Sequence, residues 1–291
     1  MKKILILTSG SKKKLAGFKS EFVTIASFNE IEFKSGSKKL LLDGEIDIVS
    51  FDIIYFRLVG KSLENASLIA NYAVSNGVRL VDRIYEKSLV YPVSLSKAIE
   101  MKKLLDAEVL TPKTYFASIS RIKEKGEELL GFPYVIKSTS GKKGKEVWSP
   151  KTKMELNKLC KTLQEEEKKG KSFFAQEFIR ATERIRVLVI GGNVVGSIRQ
   201  LARWRKRVTG EVPDQDSKKI DIFIPSEEVK DLALSATKVV GLDIAGVDIL
   251  FDEKRKNYFV IEVNAAPSWK LISKYCNVNV EKEILNFFKK V

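Results

Sequence analysis

Two carboxylates and an amide near the C-terminus, Asp248, Glu262 and Asn264, lie in two apolar runs, Ala245 to Asp252 and Tyr258 to Asn264. Read as a hairpin closed by Glu253 to Asn257, these runs set Asp252 opposite Tyr258 and Asp248 opposite Glu262. Strand alternation then puts Asn264 on the same face as Glu262. Facing carboxylates repel across a sheet, and a divalent cation removes the conflict. Asp, Glu and Asn offer only hard oxygen donors, which suit Mg²⁺ or Mn²⁺ and a phosphate-bearing partner. The other reading is a solvent-facing pair neutralised by nearby lysines and arginines.

A second group of residues fits the same chemistry. Lys137 ends the apolar run Pro133 to Lys137 and leads into Ser138 to Lys145, whose Gly141 and Gly144 allow backbone N–H groups close to phosphate oxygens. A basic turn is the commoner meaning of such a string, which is not a Walker loop. Gln176-Glu177-Phe178-Ile179 stands at the exit of another buried run, where a strand edge can pair with an adenine ring. Arg199, Arg203, Arg205, Lys206 and Arg207 surround Trp204, either to hold phosphate and an acidic substrate or as a nucleic-acid patch with one stacking aromatic.

Composition removes several alternatives. The chain has no histidine, which excludes Ser-His-Asp triads and H-E-x-x-H zinc sites. Cys160 and Cys276 form no C-x-x-C, so a metal ribbon or a thioredoxin-like site is not expected, and the lack of a disulfide framework fits a cytoplasmic location. A net charge of +15 favours anionic partners. No run reaches the length of a membrane span.

These residues need elements to position them. The first ninety residues alternate apolar runs with helical patterns: strands at Ile4 to Leu7, Ile46 to Val49, Asp52 to Arg57 and Val78 to Val81, and a helix face at Leu63, Ala66, Ile69, Ala70 and Ala73. That rhythm predicts a small parallel α/β domain. A helix over Leu95 to Ala107, with Leu95, Ala98, Ile99, Leu104 and Leu105 inward, opens a second unit. The last third reads as an antiparallel sheet with a hairpin at Gly191-Gly192-Asn193 and a covering helix striped by Val229, Leu232, Ala236 and Val240.

Taken in order, the motifs resemble the ATP-grasp carboxylate–amine ligases, and among them the RimK-type glutamate ligases, from about Ile53 to the C-terminus. Tyr55 to Gly60 is similar to the family's Pro-Arg-Ile-Gly strand end, and Lys97 to Leu105 to its helix with a leading lysine. Pro133 to Lys137 with its glycine loop, Gln176 to Ile179, Ala245 to Ile249 and Glu262 to Pro267 match the remaining ATP and metal motifs. The resemblance implies a fold of α/β and α+β class in three units, an N-terminal α/β domain over 1–93 and two α+β lobes, 94–175 and 176–291, that clamp ATP, and amide formation through an acyl phosphate. It implies that Lys97, Lys137, Gly141 and Gly144 hold phosphates, that Gln176 to Ile179 hold adenine, and that Asp248, Glu262 and Asn264 hold magnesium. Arg186 and Arg205 would serve catalysis.

Departures fall at the sugar and acceptor ends. Arg184 replaces the family's Asp in the Asp-Ile-Arg string, leaving Glu183 as its substitute at the ribose. Trp204-Arg205-Lys206-Arg207 replaces Phe-Arg-Ser-Asn, and the usual His-Arg-Gly-Gly is unrecognisable in Val208 to Lys219. The expected activity is addition of an amino acid, glutamate favoured, to a peptide or protein carboxylate. An acidic acceptor would suit the positive surface, and a homo-oligomer is compatible with this reading. Macrocyclising and small-metabolite ligases remain open, as do a nucleotide-binding protein without turnover and, from another class, a basic nucleic-acid-binding protein. Nucleic acid and membrane are not favoured as partners.

Overall fold

The computed structural model describes residues 2–33, 39–60, 62–87, 97–139, 146–201 and 220–291. Strand β1 (Ile4–Thr8) is buried at every position, as expected of a parallel strand covered on both faces. It pairs in parallel with β2 (Val23–Ala26). A small antiparallel sheet of β3 (Ile31–Phe33), β4 (Leu40–Leu42) and β5 (Ile46–Asp47) intervenes, and β6 (Ile53–Leu58), α1 (Leu63–Ser75) and β7 (Arg79–Val81) complete a sheet of order β2-β1-β6-β7. The core strand expected at Ile46 to Val49 is corrected: only two residues are strand, Ile46 is exposed, and the chain then turns. The Asp47 carboxylate accepts from the Val49 amide, a local bond that diverts the backbone from a ladder.

Helix α2 (Lys97–Asp106) leads into β8 (Thr114–Phe116), α3 (Ile119–Leu130), β9 (Tyr134–Ser138), β10 (Val147–Trp148), α4 (Lys153–Lys168) and β11 (Phe173–Glu177). These strands form an antiparallel sheet of order β10-β9-β11-β8, packed on α3 and α4 with its own core around Ile122, Ile136, Leu156 and Phe173. The third unit runs β12 (Glu183–Ile190), β13 (Asn193–Leu201), β14 (Asp221–Ile222), α5 (Glu227–Val240), β15 (Ile244–Asp252), β16 (Asn257–Asn264), α6 (Lys270–Cys276) and α7 (Val280–Lys290), with sheet order β14-β13-β12-β15-β16. Gly191 and Gly192, both at positive φ, make the tight turn between β12 and β13. Helix α5 stops at Gly241 in the left-handed region, its N–H donating back to Thr237 and Lys238.

The N-terminal and C-terminal sheets share cores on both faces. Leu5, Ile54, Val187 and Val247 belong to one, and Ile6, Tyr55, Ile244 and Phe288 to the other. Helix α2 begins the second expected unit in sequence, yet Met101 and Leu104 bury in the first of these shared cores and the helix packs on α5 and β16. No helix among the described residues is long and apolar enough to cross a membrane.

Asp82 fastens the two sheets together. It is fully buried, and its Oδ1 accepts from the Asp243 and Ile244 amides at 2.7 and 2.8 Å. Burial pushes its carboxyl up to about 8, against those donated bonds. Folding therefore takes up a proton between about pH 4 and about pH 8, and the linked stability is lost as pH rises through that window. Asp82→Asn keeps an accepting oxygen with no charge to bury. Each pKa unit carries about 1.4 kcal/mol, and 1 kcal/mol moves Tm by about 2 °C at this size. The expected result is a variant melting about 10 °C above the wild type at pH 8.5, with the gap closing towards pH 5; parallel melting curves at both pH values would refute it.

Candidate active site

The β15–β16 hairpin pairs Asp248 with Glu262. Its loop has four residues, with Asp252 opposite Asn257, one fewer than expected. A bulge between Asp248 and Ile249 inserts Ile261 as an extra residue on β16 and restores the register. Without it Asp248 would face Ile261. A bulge beside a functional position re-aims side chains in this way.

The two carboxylates have different surroundings. Asp248 is fully buried; its Oδ1 accepts from Arg186 Nε at 2.7 Å, and its Oδ2 from Arg186 Nη2 at 2.7 Å and Arg184 Nη1 at 3.3 Å. Glu262 is partly exposed, with Lys97 Nζ at 3.6 Å. Asn264 donates from Nδ2 to the Gly246 carbonyl at 3.4 Å. Repulsion between the facing acids is thus already offset by side-chain cations, an answer the hairpin sequence did not contain. The donor set still fits Mg²⁺: two carboxylates and an amide oxygen, all hard, on one face of a hairpin. Among the described residues no group of three or more His, Cys, Asp or Glu side chains is placed to hold a metal.

Lys137 arrives from the central sheet. It pairs with Phe174 across β9 and β11 and donates to Gln176 Oε1, while Gln176 Nε2 donates to Thr114 Oγ1 at 2.8 Å. Burial pulls the Lys137 ammonium down to about 8; Lys97 adds to this and Glu262 opposes it. Glu177 Oε1 accepts from the Lys113 amide at 2.8 Å and from Arg255 Nη1 at 3.1 Å, tying the central sheet to the loop of the β15–β16 hairpin. The side chains of Gln176 and Glu177 therefore serve the scaffold at this hinge, and Ile179, Leu250 and Ile261 give the wall its apolar character.

Between the central and C-terminal sheets lies a cavity of about 860 Å³. Lys97, Lys137, Gln176, Glu177, Phe178, Ile179, Arg186, Asp248, Glu262 and Asn264 all line it, so β9, β11, β12, β15, β16 and α2 deliver the expected residues to one place. Glu183 does not join them: it is exposed, with its nearest cation, Arg199, at 3.8 Å. Its ribose assignment is corrected by strand alternation, because the face of β12 that carries Arg186 also carries Arg184 and turns Glu183 away. Gly141, Gly144 and Arg205, with Trp204, Lys206, Arg207 and the stretch 208–219, lie outside the described residues.

Two cleft residues went unread in the sequence. Arg184 was visible only as a departure, although alternation from Arg186 places it in the cleft. Glu100 is buried on α2, and its Oε1 accepts from the Val263 amide at 2.6 Å; burial, with Glu262 nearby, pushes its carboxyl up to about 8. The expected inward set on this helix is corrected, since Ile99 and Leu105 are exposed. Leu104 is buried as expected, together with Glu100 and Met101, Lys97 is partly buried on the same face at i, i+3, i+4 and i+7, and Leu95 lies outside the described residues.

Two α+β lobes enclosing a cleft, with Lys137 on one side and Lys97 beside an Asp–Glu–Asn hairpin on the other, are the arrangement of an ATP-grasp fold. Residues 95–288 match the model of the RimK-like ATP-grasp domain, more than half of the chain, and the chain belongs to that family. It is 26% identical over 239 residues to human N-acetylaspartylglutamate synthase A, covering 79% of this chain and 57% of that protein. It is 31% identical over 159 residues to the tetrahydromethanopterin:α-L-glutamate ligase of Methanocaldococcus jannaschii, covering 52% and 51%. The chain spans between 38% and 61% of the length of the curated relatives it matches. Among solved structures, the ATP-grasp ligase PsnB, complexed with a phosphomimetic variant of its minimal precursor, Mg and ADP, superimposes with a TM-score of 0.70 at 16% identity, over 100% of this chain and 98% of that one.

Proposed function

We propose that this protein is an ATP- and Mg²⁺-dependent ligase that forms an amide through an acyl phosphate, joining an amino acid to a peptide or protein carboxylate. The observation that carries the reading is the convergence of Lys97 and Lys137 on the Asp248–Glu262–Asn264 hairpin in one cavity. Around Asp248 the cleft sets Lys97, Lys137, Arg184 and Arg186 beside the Asp248 and Glu262 carboxylates, with Glu100 protonated up to about pH 8. That positive excess suits a triphosphate. Asp248, Glu262 and Asn264 would hold the metal, which would neutralise phosphate charge when bound. The lysines would hold phosphate oxygens, and Arg186 would face the negative charge that develops as the acyl phosphate forms and is attacked. Such catalysis is positioning and charge stabilisation and needs no histidine.

Glutamate is the favoured amino acid because relatives at 26–31% identity are named for glutamate transfer. A peptide acceptor is taken by analogy with neighbours complexed with precursor peptides, while relatives named for N-acetylaspartylglutamate and tetrahydromethanopterin support a small-metabolite acceptor. Macrocyclisation remains the second reading, supported by the macrocyclase MdnC bound with its precursor peptide. Two measurements test the proposal. Mg-ATP at 100 times its Kd should stabilise the fold by about 2.7 kcal/mol, or about 5 °C in Tm; no shift at millimolar Mg-ATP removes the nucleotide site. Phosphate release against a panel of amino acids and acidic peptides should rise with glutamate present, and release indifferent to every amine would sink the ligase reading.

A further inference from the structure

Asp248 is neutralised before any ligand arrives. Arg186 stands directly across the sheet from it and Arg184 across from Leu250, so both guanidiniums rise from one face of β12 onto one buried carboxylate. Arg184 is anchored from its other side, where Nη2 donates to Gln200 Oε1 at 3.1 Å on the neighbouring strand. Two guanidiniums on one carboxylate leave a net positive charge that opposes a dication, while stripping both away would leave a buried anion uncompensated.

On the reading of this cleft as a metal–nucleotide site, we infer that Arg184 is a positioning residue that, with Arg186, occupies Asp248 as a resident counter-cation and yields it only when nucleotide phosphates enter. The phosphates give the guanidiniums another anionic partner, and the carboxylate is then released. Divalent metal and nucleotide must therefore bind with strong positive coupling, and metal alone must bind poorly.

The test is titration of the whole chain with Mn²⁺, followed by the paramagnetic resonance of the free ion, with and without ADP. Wild type should bind Mn²⁺ weakly alone and at least about tenfold tighter with ADP, within the usual range of coupling between sites. Arg184→Gln should tighten Mn²⁺ binding without ADP by about tenfold and, with Mn²⁺ affinity in the ADP complex unchanged, shrink the coupling to ADP by the same factor; Arg184→Lys should stay near wild type. A scaffold role predicts the opposite sign, because a loosened Asp248 binds metal worse, so unchanged or weaker Mn²⁺ binding in Arg184→Gln overturns the inference. Should that variant lose its native circular dichroism, Gln200→Leu removes only the outer anchor and should move Mn²⁺ binding the same way by a few-fold, with no change or a loss counting against the inference. Asp248→Asn placed on Arg184→Gln should erase the gain; persistence means the metal sits elsewhere. Tight Mn²⁺ binding by wild type without ADP overturns the hand-over alone, whereas no Mn²⁺ binding even with ADP overturns the metal site beneath it.

Discussion

Asp248→Asn is expected to cut ATP-dependent phosphate release by about three orders of magnitude, the upper range for loss of one preorganised charge in a dry site. Asp248 lies where three demands meet: it is the buried member of the hard-oxygen set, the partner of Arg186, and the cross-strand neighbour of Glu262. An amide in its place keeps one accepting oxygen where the carboxylate has two, turns an N–H donor towards an arginine and lends no charge to a metal. Breaking a buried ion pair from one side also costs about 3 kcal/mol, so the melting temperature should fall by several degrees. Activity is therefore to be measured well below that transition, with circular dichroism confirming the fold. A variant that turns over ATP within tenfold of wild type would remove Asp248 from the chemistry. The competing nucleic-acid reading makes the opposite prediction, since removing an acid should leave or raise affinity for a polyanion.

Lys137→Met should weaken Mg-ADP binding by about 30-fold in titration calorimetry, the expected loss of a charge-assisted bond to phosphate worth about 2 kcal/mol. The wild-type pH profile should carry the same residue's signature. Burial holds the ammonium near 8 in the free protein, so the side chain is charged below that pH and neutral above it. Phosphate binding favours the charged form. Nucleotide affinity should consequently be flat below about pH 7.5 and fall by up to tenfold per unit above about pH 8. Lys137→Arg, which keeps its charge throughout this range, should flatten that fall even if its own affinity is lower. A wild-type profile flat to pH 9.5, or Lys137→Met binding equal to wild type, would show that the phosphates lie elsewhere.

The hairpin register shows how local patterns can succeed for an incomplete reason. The loop is one residue shorter than its composition implied, and a bulge at Ile261 cancels the error, so Asp248 meets Glu262 as expected. Bulges follow from how a strand fits its neighbours and have no reliable mark in a single sequence. Arg184 is a different case. Once Arg186 was placed in the cleft, period-two alternation was enough to place Arg184 there and turn Glu183 out, and the family pattern drew attention to the wrong residue of the pair.

The order of motifs, the strands that carry them, the Gly191-Gly192 turn and the Gly241 helix stop were all determined by the sequence, because each depends on periodicity or turn chemistry within a few residues. The tertiary structure alone decided what neutralises Asp248 and Glu262. Arg186 reaches Asp248 from 62 positions away, through two strands that are not consecutive in the chain, and Gln176 reaches Lys137 from another strand of the central sheet. It also decided that Glu100, rather than Ile99, turns inward, because α2 is laid against β16 by Met101 and Leu104 while a carboxyl accepts the Val263 amide of that edge strand. Charges find their partners through packing between distant elements, and sequence spacing carries no record of which sheets will meet.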